Sequence, residues 1–139
     1  MATTRTANAH WEGTLIEGYG TVELASSEIG TFPITWASRA EAPEGRTSPE
    51  ELIAAAHASC FSMALSSGLA KSGSAATSLD TSVEVDFQPG VGITEIRITV
   101  SGDVPGLDAV LFADAAENAK LNCPVSKALA AVPIQLIVR

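Results

Sequence analysis

Two thiols and one imidazole are the side chains of this 139-residue chain best suited to chemistry: Cys60, Cys123 and His57. A thiolate is a nucleophile and a metal ligand, so the question is what would ionise each sulfur. Cys123 stands directly before Pro124, at a predicted helix start, where unpaired N–H groups and the helix dipole favour a thiolate. Cys60 lies about three turns inside a long predicted helix and gains no such help from it. A nucleophilic Cys60 needs a cation from elsewhere to bring its pKa below the free value of about 8.5. Spacing alone does not say which sulfur attacks first. Either can equally be a small buried hydrophobe, a common state of free cysteine. His57 precedes Cys60 by three residues and shares its helix face. It can form a Cys–His nucleophile pair, join Cys60 and Cys123 around a metal, or be a hydrogen-bonded, partly buried histidine. The lack of a CxxC and of a full ligand set disfavours the metal, and position favours the last reading.

The elements that must hold these residues are legible in outline. Residues 9–12 read as a short strand broken at Gly13. Residues 14–17 and 21–25 flank Gly18-Tyr19-Gly20 as a hairpin. Residues 30–37 are extended, with Pro33 marking an edge, and residues 38–47 form an exposed loop. Ser48 as N-cap, Pro49 at the first helical position and Glu51 closing a capping box start a helix. It runs without a breaker to Gly68 and reaches Leu69. It is rich in Ala and Ser and apolar around its circumference, which predicts a central, buried helix that another helix can approach closely. After a linker at 73–78, Val83, Val85 and Phe87 alternate with acids, and Ile96, Ile98 and Val100 alternate with Arg97 and Thr99, giving paired strands around Pro89-Gly90. Residues 107–121 predict a second helix with Leu107, Val110, Leu111, Ala115 and Ala119 as its apolar stripe. Pro124 opens a third helix through Ala130, and residues 134–138 form a last strand. This order predicts a single α+β domain, 1–139, with antiparallel sheets packed on the central helix.

Composition narrows the function. Hydrophobic residues make up 46% and charged residues 17%, a globular balance. Aromatics are 5%, so the core must come from Val, Ile, Leu and Ala. The net charge of -8 argues against nucleic acid and against an anionic membrane surface. No secretory pattern opens the chain, and no run reaches membrane-spanning length. The expected address is cytoplasmic, where two cysteines are more often free or catalytic than a structural bridge.

The segment from Thr47 to Leu65, including Ser48-Pro49-Glu50-Glu51-Leu52 and Ala56-His57-Ala58-Ser59-Cys60-Phe61-Ser62-Met63, resembles the central-helix signature of the OsmC/Ohr superfamily of thiol-dependent peroxidases. Asn122-Cys123-Pro124-Val125-Ser126 resembles its second cysteine motif. Ala9-His10-Trp11-Glu12-Gly13 and Gly18-Tyr19-Gly20-Thr21-Val22 are similar to the OsmC branch. The resemblance implies that Cys60 attacks a peroxide and becomes a sulfenic acid, that Cys123 closes a Cys60–Cys123 disulfide, and that an external dithiol, lipoyl or a small thiol, re-reduces it. It implies no metal, haem or other cofactor. Arg39 matches the OsmC-branch arginine that favours the thiolate and holds the peroxide; the Ohr branch draws its arginine from nearer the N-terminus, where this chain has only Arg5. Glu50 matches the glutamate that orients that arginine. Without the resemblance, Arg39 reads as a loop charge and Glu50 as a first-turn carboxylate. Glu50 and Cys60 stand roughly 15 Å apart along one helix, so a Glu50 that serves a Cys60 site serves another subunit's. The family's intertwined homodimer implies the same. Phe61, Met63 and Trp36 suggest organic hydroperoxides over hydrogen peroxide.

Three other functions compete. A thiol redox sensor or thiol–disulfide oxidoreductase would use the same cysteines, without the CxxC it usually carries. A small-ligand or lipid-binding module would tolerate Cys60→Ser. A Cys60–His57 hydrolase or acyl-transferase lacks an identifiable oxyanion device.

Overall fold

Gly18 and Gly20 stand where backbone carbonyls and the Trp11 indole leave no room for a side chain. A Cβ on Gly18 would stand 2.9 Å from Trp11 Cζ2, and one on Gly20 would stand 2.8 Å from Trp11 Cε3. The carbonyl oxygens of Thr14 and Glu12 crowd that Gly18 position more closely still, and His10 O that of Gly20, so only glycine fits. In the computed structural model, which describes all 139 residues, β1 (Asn8–Glu12) pairs antiparallel with β2 (Tyr19–Glu23), Trp11 opposite Gly20. The hairpin is therefore 8–12 with 19–23, and not 14–17 with 21–25. Residues 14–17 make the turn, closed by Gly18 N–H on Thr14 O at 2.8 Å. β3 (Thr31–Ile34) adds to β2, and Pro33 sits in this outer strand.

The extended stretch expected to reach Ala37 stops at Ile34, and the expected loop begins instead as a one-turn helix, α1 (Trp36–Ala40). Thr35 and Ser38 explain the change. Each side chain bonds the other's backbone N–H at 3.0 Å, a reciprocal cap. Buried Ser38 also donates to Thr47 O at 3.1 Å, which anchors α1 to the segment before Ser48. These elements form one compact unit, Met1–Pro49, and Glu50–Arg139 form a second.

In the second unit, α2 (Pro49–Lys71) buries Glu50 in its first turn and then a row four apart: His57, Phe61, Leu65 and Leu69. β4 (Ser78–Gln88) and β5 (Gly92–Asp103) form the expected hairpin, with a bulge at Asp86/Phe87. Ile96, Ile98 and Val100 of β5 are fully buried and share one core cluster with the α2 row. Full burial of each such side chain contributes about 1.5–3 kcal/mol. On the opposite face Arg97 makes two 2.7 Å bonds to Asp86, which hold that carboxyl below its ordinary pKa. Despite the few aromatics, Phe61 and Phe112 both lie in the core.

Three expectations need correction here. First, α3 (Ala109–Asn122), capped by Asp108 on Leu111 N–H, buries Phe112, Ala116 and Ala119; Val110 is 71% and Leu111 53% exposed. Of the expected stripe, Ala119 is buried and Leu107 and Ala115 pack against the core, while Val110 and Leu111 lie on the side turned away from it and Phe112 and Ala116 take their place. Second, after α4 (Pro124–Ala128), β6 (Ile134–Val138) pairs parallel with β5, so this sheet is mixed. A strand that returns after a helical crossover must be parallel to the one it left if it enters from the same end. Third, α2 is not buried all round, since Ala56, Ser59, Met63, Ser66 and Ala70 are exposed. Its 23 residues are also long and apolar enough to cross a bilayer by length and composition, contrary to the expectation that no run reaches that length. A core helix meets the same test, and here Phe61, Leu65 and Leu69 are core residues.

Candidate active site

Pro124 builds the site. It has no N–H to continue α3 and its fixed φ suits the first position of α4. Cys123 is left as the hinge between the two helices, with φ -56° and ψ 124°. Its N–H donates to Ala119 O at 2.8 Å and its carbonyl accepts from Lys127 N–H at 3.0 Å, so it is held from both sides. Its sulfur lies 2.8 Å from that of Cys60 on α2. Both are free thiols, Cys123 fully buried and Cys60 partly open to solvent.

The two thiols differ in how readily they ionise. Burial pushes the Cys60 thiol up, and the hydrogen bond and charge of Cys123 push it further, against a weaker pull from Val125 N–H. Burial also pushes Cys123 up. It nevertheless falls below an ordinary thiol, because the Cys60 thiol, the N–H and hydroxyl of Ser126 and the N–H of Val125 together outweigh burial. Within this unit Cys123 is the more acidic sulfur and Cys60 the more accessible one.

His57 does not pair with Cys60. Its Nε2 lies 2.6 Å from Ser126 Oγ and its Nδ1 has no hydrogen-bond partner. The ring is fully buried, and burial holds its pKa below the ordinary value. Of the readings offered for it, the hydrogen-bonded histidine stands, with deeper burial than expected. No three His, Cys, Asp or Glu side chains converge as a ligand set for a metal. Ser126, the partner of the His57 imidazole, is not among the site residues expected from the sequence. Its place one turn after Cys-Pro was a weak signal, and its partner is 69 positions away.

The other two expected site residues belong to the start of α2 and to the first unit. Glu50 is buried in the first turn of α2, ten residues ahead of Cys60 in an unbroken helix, which is roughly 15 Å. Arg39 is in the last turn of α1. It lines a cavity of about 320 Å³ with Trp11, Leu15, Ile34, Trp36 and Pro49.

The sequence profile described as OsmC-like protein matches residues 42–137, a stretch that holds both cysteines. The chain belongs to the OsmC-like protein family. Relatives agree with this membership over nearly the full length. The chain is 42% identical over 134 residues to Peroxiredoxin OsmC of Escherichia coli strain K12, covering 94% of this chain and 93% of that one. Among solved structures it is similar to an organic hydroperoxide resistance protein OsmC from Legionella pneumophila, with a TM-score of 0.76, 24% identity and coverage of 99% and 98%. It is also similar to the organic hydroperoxide resistance protein OhrB of Bacillus subtilis, with a TM-score of 0.69, 24% identity and coverage of 96% and 98%. These structures share the α+β fold of this OsmC-like chain.

Proposed function

We infer that this OsmC-like protein is a cysteine-based peroxidase that reduces organic hydroperoxides to alcohols. The observation that carries the reading is the 2.8 Å approach of two free thiols, one open and one buried, in a relative of a protein named a peroxiredoxin. The Cys60 thiolate bonds to the distal peroxide oxygen, the O–O bond breaks, and the alkoxide leaves and takes a proton. The Cys123 thiolate then bonds to the Cys60 sulfur, the S–O bond breaks, and hydroxide leaves. An external dithiol restores both thiols by exchange and is itself oxidised.

Electrostatics within residues 50–139 disfavours a Cys60 thiolate, so the attack needs a cation from outside that unit. Arg39 is the residue we assign to it, oriented by Glu50. Since Glu50 lies roughly 15 Å along the helix from Cys60 of its own chain, the site combines residues from two copies in a homodimer. The exposed seam of α2 supports this. Ala56, Ser59, Met63, Ser66 and Ala70 recur every three to four residues, four of them small enough for close approach of a second helix and Met63 an apolar side chain for it to cover. The apolar wall that Trp11, Leu15, Ile34 and Trp36 give the Arg39 cavity suits an alkyl or aryl peroxide.

The test is one equivalent of organic hydroperoxide on the reduced protein, followed by quenching and intact and peptide masses without reductant. Loss of two hydrogens and a Cys60–Cys123 crosslinked peptide, absent from Cys60→Ser, are expected. Two untouched thiols after minutes of exposure would sink the reading.

A further inference from the structure

His57 is a fully buried titratable group that the chemistry above does not use. Its Nε2 meets Ser126 Oγ at 2.6 Å, and its Nδ1 is buried without a partner. The ring proton has two possible places. On Nδ1 it would strand an N–H donor in the core and oblige Ser126 to donate its own O–H to Nε2. On Nε2 it strands only a lone pair and releases the Ser126 O–H. Buried orphan N–H groups are the rarer of the two defects, which selects Nε2–H. Ser126 then accepts from His57 and keeps its own O–H, buried in the first turn of α4 that Cys123 opens, where its hydroxyl and N–H favour a Cys123 thiolate. The helices repeat this order, with His57 one turn before Cys60 on α2 and Ser126 one turn after Cys123 on α4.

We propose that His57 is a positioning residue for the buried sulfur: through Ser126 it holds Cys123 as the thiolate that closes the disulfide and leaves from it. This rests on the thiol-peroxidase reading. In closure, the Cys123 sulfur gives an electron pair to the Cys60 sulfur and hydroxide departs. In re-reduction an external thiolate bonds to Cys60, the sulfur open to solvent; the S–S bond breaks and Cys123 departs with the pair. A stabilised leaving thiolate departs faster, so one hydroxyl serves both directions.

In the Cys60→Ser background only Cys123 titrates as a thiol, and its ionisation is read by ultraviolet thiolate absorbance and by alkylation rate against pH. Ser126→Ala is expected to raise the midpoint by about one pH unit, since a hydrogen bond to a charged group is lost, and Ser126→Thr to restore it. His57→Leu, or the milder His57→Asn should the first not fold, is expected to raise it too. His57→Gln, which can present an N–H near the place of Nε2, is expected to restore it. In the chain with both thiols, disulfide closure after a peroxide pulse is expected to slow about threefold relative to sulfenic-acid formation in Ser126→Ala, because tenfold less thiolate is partly offset by its greater nucleophilicity. The titration uses no peroxide, so its outcome is separate from that of the peroxidase assay. An unmoved midpoint in Ser126→Ala, or in whichever of His57→Leu and His57→Asn folds, overturns the proposal.

Discussion

Two sulfurs 2.8 Å apart in unlike surroundings give their variants unlike phenotypes. Cys60→Ser is expected to abolish hydroperoxide consumption. Cys123→Ser is expected to keep the first oxidation and stop at a sulfenic acid, seen as a dimedone adduct by mass. Steady hydroperoxide turnover by Cys60→Ser would end the assignment. His57 adds a pH effect on stability. Its folded pKa lies below the ordinary histidine value of about 6.5, so the unfolded chain binds the proton first. Stability is therefore full above about 6.5 and is lost as pH falls toward the folded value. Denaturant melts from pH 7.5 to 5.5 (about one unit either side of that value) are expected to show this loss, with a shallower slope in His57→Gln; equal slopes would assign it to other groups. The cysteines and His57 could be picked from the sequence by type alone. Ser126 could not, because its partner is brought to it by the fold across 69 positions.

At the scale of elements, what was readable followed from local chemistry. Pro49, the alternation of β5 and the Cys-Pro break each act within a few residues, and the helix start, strand and hinge stand where they indicated. The errors arose where a neighbour decides. Residues 14–17 look like a strand, but Trp11 chooses Gly20 as its partner and leaves them to turn. The stripe of α3 depends on which side meets the core, and Val110 and Leu111 lie on the other. Parallel pairing of β6 has no mark in Ile134–Val138 itself. The four-residue spacing of the α2 row carries its own prediction. Leu65→Ala is expected to cost about 2–5 kcal/mol in chemical denaturation, the range for a buried leucine cavity. A loss under about 1 kcal/mol would mean that the row is less tightly packed than its burial indicates.

For the whole molecule, the proposed division of one site between two copies predicts complementation. Glu50→Gln and Cys60→Ser are each expected to be poorly active alone. Unfolded together and refolded, they are expected to regain activity in mixed dimers that carry one intact site. A mixture no more active than its parts, with mixed dimers shown to form by mass, would place Glu50 and Cys60 in the same copy's site. The crossover that brings β6 back beside β5 has a kinetic consequence as well. The β4–β5 hairpin closes through nearby residues, whereas the parallel strand waits for α3 and α4 to complete a long loop, and such non-local pairings form late. Cys123 rides on that loop while Cys60 belongs to the earlier helix. In refolding under reducing conditions, Cys123 should therefore stay open to a rapid alkylating pulse after the hairpin amides are already protected from hydrogen exchange, so the ability to resolve a sulfenic acid is acquired among the last events of folding.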